Sequence, residues 1–228
     1  MPTKPKRLVK DLWRWTARHP EWHPGQFGAE VVSFAARAGD ELLLIDPLLP
    51  DDDAEAEAVL ASIEANLGDR LAILISLPYH VRSSEPIRDR FGKDAEVTIH
   101  GHPACAKRLR RRTGFKPIDV SKPLPGGASA YPIGSPRRFE TPLLLASHRA
   151  LVFGDAVVEH SGRLKVWSAE RVDKRVERFY RDRFNPTLKP LLELDFDRVL
   201  PTHGEPVMKD GRRTLASALR SRPWYHRP

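Results

Sequence analysis

Two short apolar runs in this chain each stop at a residue that can hold a metal ion or move a proton. Leu151-Val-Phe153 passes through a single glycine into Asp155, and Val199-Leu200 passes through Pro-Thr into His203. Buried strands that end this way place their C-terminal tips at the floor of a site. A third candidate, His80, lies in Ser76-Leu-Pro-Tyr-His-Val-Arg82, directly after the apolar run Leu71-Ala-Ile-Leu-Ile75. His203 held by Asp155 would make a general base; the same two residues would equally make a hydrogen-bonded tie between strand ends. Arg82 offers a planar fork for a phosphate or carboxylate, or an internal salt bridge to Asp155 or Asp46. Tyr79 could orient a substrate or simply fill volume.

The elements that must position these residues follow a β-α alternation. Ala29 to Phe34 and Leu42 to Ile45 read as strands joined by a turn at Ala38-Gly-Asp40. Asp51 to Asp53 place negative charge at the start of a helix that Gly68 ends. After the Leu71–Ile75 strand, Ser84 caps a helix running to Gly92, Glu96 to Ile99 is a short strand, and a helix is expected from Pro103 to Gly114. This strand-helix-strand-helix order is a βαβ layout. Ala128 to Ile133 reads as a strand, and Phe139 to Ala146 pairs with Ala150 to Phe153 across Ser147-His-Arg149. Val172, Val176, Phe179, Tyr180 and Phe184 recur at helical spacing. Asn185-Pro186 begins a further helix, Val199-Leu200 is a strand, and Thr214 to Leu219 a last helix. Residues 1 to 28 carry Trp13, Trp15 and Trp22 without a clean period and read as an irregular arm over a single domain spanning 1–228.

Composition narrows the class. At 40% hydrophobic and 30% charged residues the chain is an ordinary globular one. No apolar run approaches the ~20 residues of a membrane helix. The basic N-terminus has no apolar signal core behind it, and the lone Cys105 rules out an internal disulfide, so a cytoplasmic protein without membrane contact is expected. A net charge of +8 raises the question of nucleic acid. The arginine clusters at 108–112 and 171–178 sit on expected helices, the second interleaved with Glu170, Asp173 and Glu177, which favours solvated helix faces. Oligomeric state is not legible.

In order and content, Leu42-Leu-Leu-Ile-Asp-Pro47, the Leu71–Ser76 strand with its loop, Leu151-Val-Phe-Gly-Asp155 and Val199-Leu-Pro-Thr-His-Gly-Glu-Pro206 resemble the metallo-β-lactamase superfamily, hydrolases related to glyoxalase II. The resemblance implies an α/β fold of the αββα sandwich type. In that family a Thr-His-x-His-x-Asp-His loop supplies most zinc ligands. Here Leu77, Tyr79, Val81 and Arg82 fall on the four ligand positions, and Ser135-Pro136-Arg137 falls on a later histidine. The bridging aspartate, Asp155, and the final histidine, His203, remain. A catalytic zinc needs about three protein ligands and an open position, so a dinuclear zinc centre is not expected. A shift of the loop by one residue would let His80, Asp155 and His203 hold one Zn²⁺ or Fe²⁺; otherwise the site holds no metal. Glu140, Arg137 and Arg138 fall near the site rim on this alignment.

The resulting expectation is a hydrolase-like protein acting on a small ester, thioester, lactone or phosphorylated metabolite. His203, Asp155 and His80 would carry the chemistry, and Arg82, Tyr79, Glu140 and Arg138 would contact an anionic substrate. The alternative is a non-catalytic protein that binds an anionic ligand, RNA or a protein partner through the same cleft.

Overall fold

Leu43 and Ile45 face one way along their strand and Leu42 and Leu44 the other, and all four are buried. Successive strand side chains point to opposite faces, so a strand apolar on both faces must be covered on both. The computed structural model, which describes residues 5–23, 27–134 and 139–227, meets that demand with four layers. A seven-stranded sheet runs in chain order: β1 (Lys6–Val9), β2 (Leu12–Arg18), β3 (Glu30–Ala38), β4 (Glu41–Ile45), β5 (Arg70–Ile75), β6 (Glu96–Gly101) and β7 (Phe115–Pro117). Its first four strands are antiparallel neighbours; β4 to β7 are parallel.

The second sheet contains β8 (Ser129–Ala130), β9 (Leu143–Leu145) and β10 (Ala150–Phe153). A separate hairpin, β11 (Val157–His160) with β12 (Arg163–Val166), follows, and β13 (Arg198–Pro201) completes the second sheet by pairing parallel to β10. Phe34, Leu43, Ile45 and Leu74 of the first sheet meet Leu143, Leu145, Val152 and Leu200 of the second. The outer face of the first sheet, Leu42, Leu44, Leu71 and Ile73, is covered by α1 (Asp53–Glu64) and α2 (Ser84–Phe91) through Val59, Ile63, Ile87 and Phe91. The outer face of the second, Leu151, Phe153 and Val199, is covered by α3 (Lys174–Phe179), α4 (Asn185–Leu188) and α5 (Gly211–Arg220). The order is helix, sheet, sheet, helix, an α/β sandwich of the αββα kind.

Three local expectations are corrected. Residues 6–18 are not an irregular arm: β1 and β2 extend the first sheet, with Leu12 and Trp15 buried and the Trp15 indole N–H donating to the Leu48 carbonyl at 2.7 Å. Trp13, Arg14 and Trp15 mask the strand alternation, because an edge hairpin lying under other chain does not keep a polar outer face. The helix expected from Pro103 to Gly114 stops as a short 3₁₀ turn, Pro103–Lys107. Leu109 is buried and the amides of Arg110 and Arg111 donate to Glu85 instead of to their own turn. Asn185-Pro186 does not begin a new helix; α3 runs through a π-helical turn, Tyr180–Phe184, straight into α4. The β11–β12 hairpin gave no sequence signal that was read as strand.

Within the arginine clusters Arg111 pairs with Asp89 and Arg175 with Glu170 at 3.3 Å, and just beyond the second Arg181 pairs with Asp182 at 2.7 Å. Among the described residues no helix is long and apolar enough to cross a membrane.

Candidate active site

Four strand tips meet at one place. Asp46 follows β4, Ser76 follows β5, Asp155 follows β10 and His203 follows β13, all at the carboxyl ends of the two parallel pairs, β4 with β5 and β10 with β13. Crevices beyond the carboxyl ends of such strands are where open α/β sheets bind ligands. The loop after β5 adds His80, on the 3₁₀ turn Pro78–Val81, and Arg82.

Local sequence explains how the tips are held. Asp46 sits at φ +48, a left-handed conformation that a short polar side chain tolerates. Its carbonyl accepts from Ser33 Oγ at 2.9 Å and from Arg82 Nη1 at 3.0 Å. Arg82 itself has φ +40, which is costly for a long side chain and is held in place by that bond. The glycine before Asp155 is required by space: a Cβ on Gly154 would lie 2.8 Å from Ser76 Oγ and 3.5 Å from the Glu140 carboxyl. Thr202 donates its hydroxyl to the Gly154 carbonyl at 2.8 Å, tying the Asp155 loop to the His203 loop.

The side chains form a line across the two sheets. Asp46, fully buried, accepts the Ser76 amide at 2.8 Å on Oδ1, and on Oδ2 it meets both the Ser76 hydroxyl and His80 Nδ1, the latter at 2.9 Å. The other His80 nitrogen, Nε2, lies 3.3 Å from Asp155 Oδ1, and His203 Nε2 lies 3.5 Å from the same oxygen. Burial and the neighbouring Arg82 charge push His80 toward neutrality, but carboxylates on both sides of its ring outweigh them and raise it to about 8. Burial pushes the Asp155 carboxyl up; the His80 and His203 imidazoles outweigh that too and hold it well below the usual carboxylate range.

Around this floor lies a cleft of about 400 Å³. Its walls include Tyr79, Arg82 and Arg108 on one side, with Trp22, Phe27 and Trp167 contributing flat apolar faces. Arg108 rests over the Tyr79 ring at 4.0 Å, and Phe27 packs on His203 with ring centroids 5.0 Å apart. The Trp167 indole N–H donates to His226 Nδ1 at 3.3 Å.

The structure thus brings His80, Asp155, His203, Arg82 and Tyr79 together at the cleft. Glu140 is corrected. It does not stand at the rim but is buried beneath the floor, where its carboxylate accepts the Ala156 amide at 2.8 Å and braces the turn after Asp155. Arg138, with Arg137, lies outside the described residues. Asp46 accepts a loop amide, that of Ser76, and it also holds His80. A lone Asp-Pro after a strand signals the first role and not the second. Trp22, Phe27, Trp167 and Arg108 carried no periodic or motif signal that could have placed them here.

A divalent ion at this floor would need lone pairs. With Nδ1 on Asp46 and Nε2 toward Asp155, a protonated His80 has none to offer. Arg82 adds a positive charge beside Asp46 and Asp155. Among the described residues no group of three or more His, Cys, Asp or Glu is arranged to hold a metal ion. The expected set of His80, Asp155 and His203 around one Zn²⁺ or Fe²⁺ therefore does not fit the side chains as they stand.

No protein-family model and no curated protein matches the chain. Solved structures do. A metallo-β-lactamase from Pontibacter korlensis superposes with a TM-score of 0.65 at 13% identity, covering 96% of this chain and all of that one (100%). FIM-1 from Pseudomonas aeruginosa, described in a mono-zinc form, gives 0.62 at 11% identity over 96% of this chain and 95% of its own. The chemotaxis sensor ODP, described as a peroxy diiron species, gives 0.59 at 14% identity, again over 96% and 95%. The chain has the metallo-β-lactamase fold across nearly its whole length.

Proposed function

We propose that this protein is a hydrolase-like member of that fold class whose cleft chemistry is carried by its own side chains. Its substrate would be a small anionic ester, thioester, lactone or phosphorylated metabolite. The observation that carries this reading is the convergence of His80 Nε2 and His203 Nε2 on one oxygen of Asp155 at the base of an open cleft. Such a cluster of perturbed groups in a cleft is a functional-site signature.

In this mechanism Asp155, kept ionised, orients His203 and holds a water by hydrogen bond. His203 takes a proton from that water as its oxygen bonds to the carbonyl carbon. The negative charge that develops on the carbonyl oxygen is met by His80, protonated at neutral pH, and by Arg82, two fixed cations in a partly dehydrated site. The intermediate collapses as the carbon–oxygen or carbon–sulfur bond breaks, and His203 returns its proton to the leaving group. Asp46 keeps His80 oriented and charged throughout.

The test pairs metal analysis with turnover. Protein purified without chelator should contain far less than one Zn, Fe or Mn per chain. It should hydrolyse small anionic esters at a rate unchanged by chelator and abolished by His203→Ala. Near one metal per chain, lost in His203→Ala, would overturn the proposal. Saturable ligand binding without turnover of any ester, thioester or lactone would instead favour a non-catalytic anion-binding protein.

A further inference from the structure

Two N–H donors in the cleft are buried and, among the described residues, lack an acceptor: Arg82 Nε and Trp22 Nε1. Arg82 commits Nη1 to the Asp46 carbonyl at 3.0 Å, which leaves the Nε edge of its guanidinium facing no acceptor. Buried donors are ordinarily satisfied, and one that is not calls for an explanation. Asp155 Oδ1 and His203 Nδ1 at the floor of the same cavity also lack a hydrogen-bond partner among the described residues; the two unmet N–H donors at the wall, Arg82 Nε and Trp22 Nε1, call for an acceptor-rich group. The Nε–Nη2 edge of a guanidinium matches two oxygens of a carboxylate or a phosphoryl group.

The rest of the cavity narrows the body that carries this oxyanion. Trp22, Phe27, Tyr79 and Trp167 give it flat aromatic walls about a space of about 400 Å³, a size suited to a small ligand. Asp155 at the floor repels an anion, so the negative group belongs at the Arg82 side with the body extending over the aromatic faces. Arg108, over Tyr79 at 4.0 Å, adds a second positive charge at that wall.

We infer that the cleft receives a planar aromatic ligand bearing one oxyanion, carboxylate or phosphoryl, seated on the Nε edge of Arg82 and the indole N–H of Trp22. This rests on the reading of the cleft as a small-anion site and names the class of molecule it takes.

Titration calorimetry on the full chain with five probes tests it: benzoate, phenylphosphonate, cyclohexanecarboxylate, acetate and inorganic phosphate. Benzoate or phenylphosphonate should bind about tenfold tighter than its non-aromatic counterpart, as aromatic contact beyond area burial predicts. The better of the two identifies the oxyanion. Arg82→Lys, which keeps the charge and loses the fork, should weaken that probe about tenfold, and Trp22→Phe, which keeps a ring and loses the N–H, should weaken it several-fold. Urea unfolding should show both variants fully folded under the calorimetry conditions. Equal affinity for aromatic and aliphatic anions overturns this inference while the anion-site reading stands. So does an aryl affinity untouched by both substitutions. If none of the five probes binds, both readings fall.

Discussion

Raising the pH from 6.5 to 8.5 should remove about 1.5 kcal/mol of the folding stability that His80 supplies. In the unfolded chain its imidazole titrates at 6.5; in the fold, between Asp46 and Asp155, it titrates at about 8. A group whose folded pKa is raised gives stability that is complete below the unfolded value and is lost as pH climbs through the folded one. The whole contribution is therefore about 2 kcal/mol at low pH, from a shift of roughly one and a half units at 1.36 kcal/mol each. Most of it disappears within the window named. His19, His102 and His148 are lowered by burial, and His100 is lowered to about 4; half-protonated in the unfolded chain at pH 6.5, they act in the opposite sense and offset part of the fall inside the window, His100 by about 0.4 kcal/mol, so the His80 share is read as a difference from His80→Gln, which carries the same offset. Burial raises the Cys105 thiol to about 12, which costs stability only above about pH 9. Urea unfolding followed by tryptophan fluorescence at constant ionic strength is the assay. Across the window the wild-type midpoint should fall by roughly 0.5–1.5 M relative to that of His80→Gln, for a slope of about 1–3 kcal/mol per molar. A wild-type pH dependence that matches that of His80→Gln would refute the assignment of a shared proton to this ring.

Two substitutions probe the bracing of the floor. Gly154→Ala places a methyl against Ser76 Oγ at 2.8 Å and should cost about 1–3 kcal/mol, read as a lower thermal midpoint. Glu140→Ala leaves the buried Ala156 amide without its acceptor and should cost a similar ~1–3 kcal/mol in urea unfolding. Unchanged stability in the second would mean that the carboxylate is not what holds the turn after Asp155.

The strands and their ends were legible where both faces are buried. Leu42–Ile45, Leu71–Ile75 and Leu151–Phe153 are continuous apolar runs because each lies between a sheet partner layer and a helix layer, and such runs stop where the chain reaches the cleft. The tip residues Asp155 and His203 could be named on that ground alone. Glu140 could not be placed, because a carboxylate beside a loop is usually solvated and only packing against Gly154 and Ala156 puts it inside. Asp46 and His80 are 34 positions apart, and no local pattern announces that a loop histidine will find a strand-end aspartate. The aromatic walls were hidden for the same reason. Trp22 and Trp167 meet at a cavity through tertiary packing, and neither sits in a periodic element that would mark its face.

His80 holds one acid from each half of the sandwich, Asp46 at the end of β4 and Asp155 at the end of β10. It is thus a rivet between the two sheets. A variant that frees this ring to do something new, such as binding a cation, also unfastens the two sheets at the point where the cleft opens. Building a metal site from this ring would first require some other clasp between the layers.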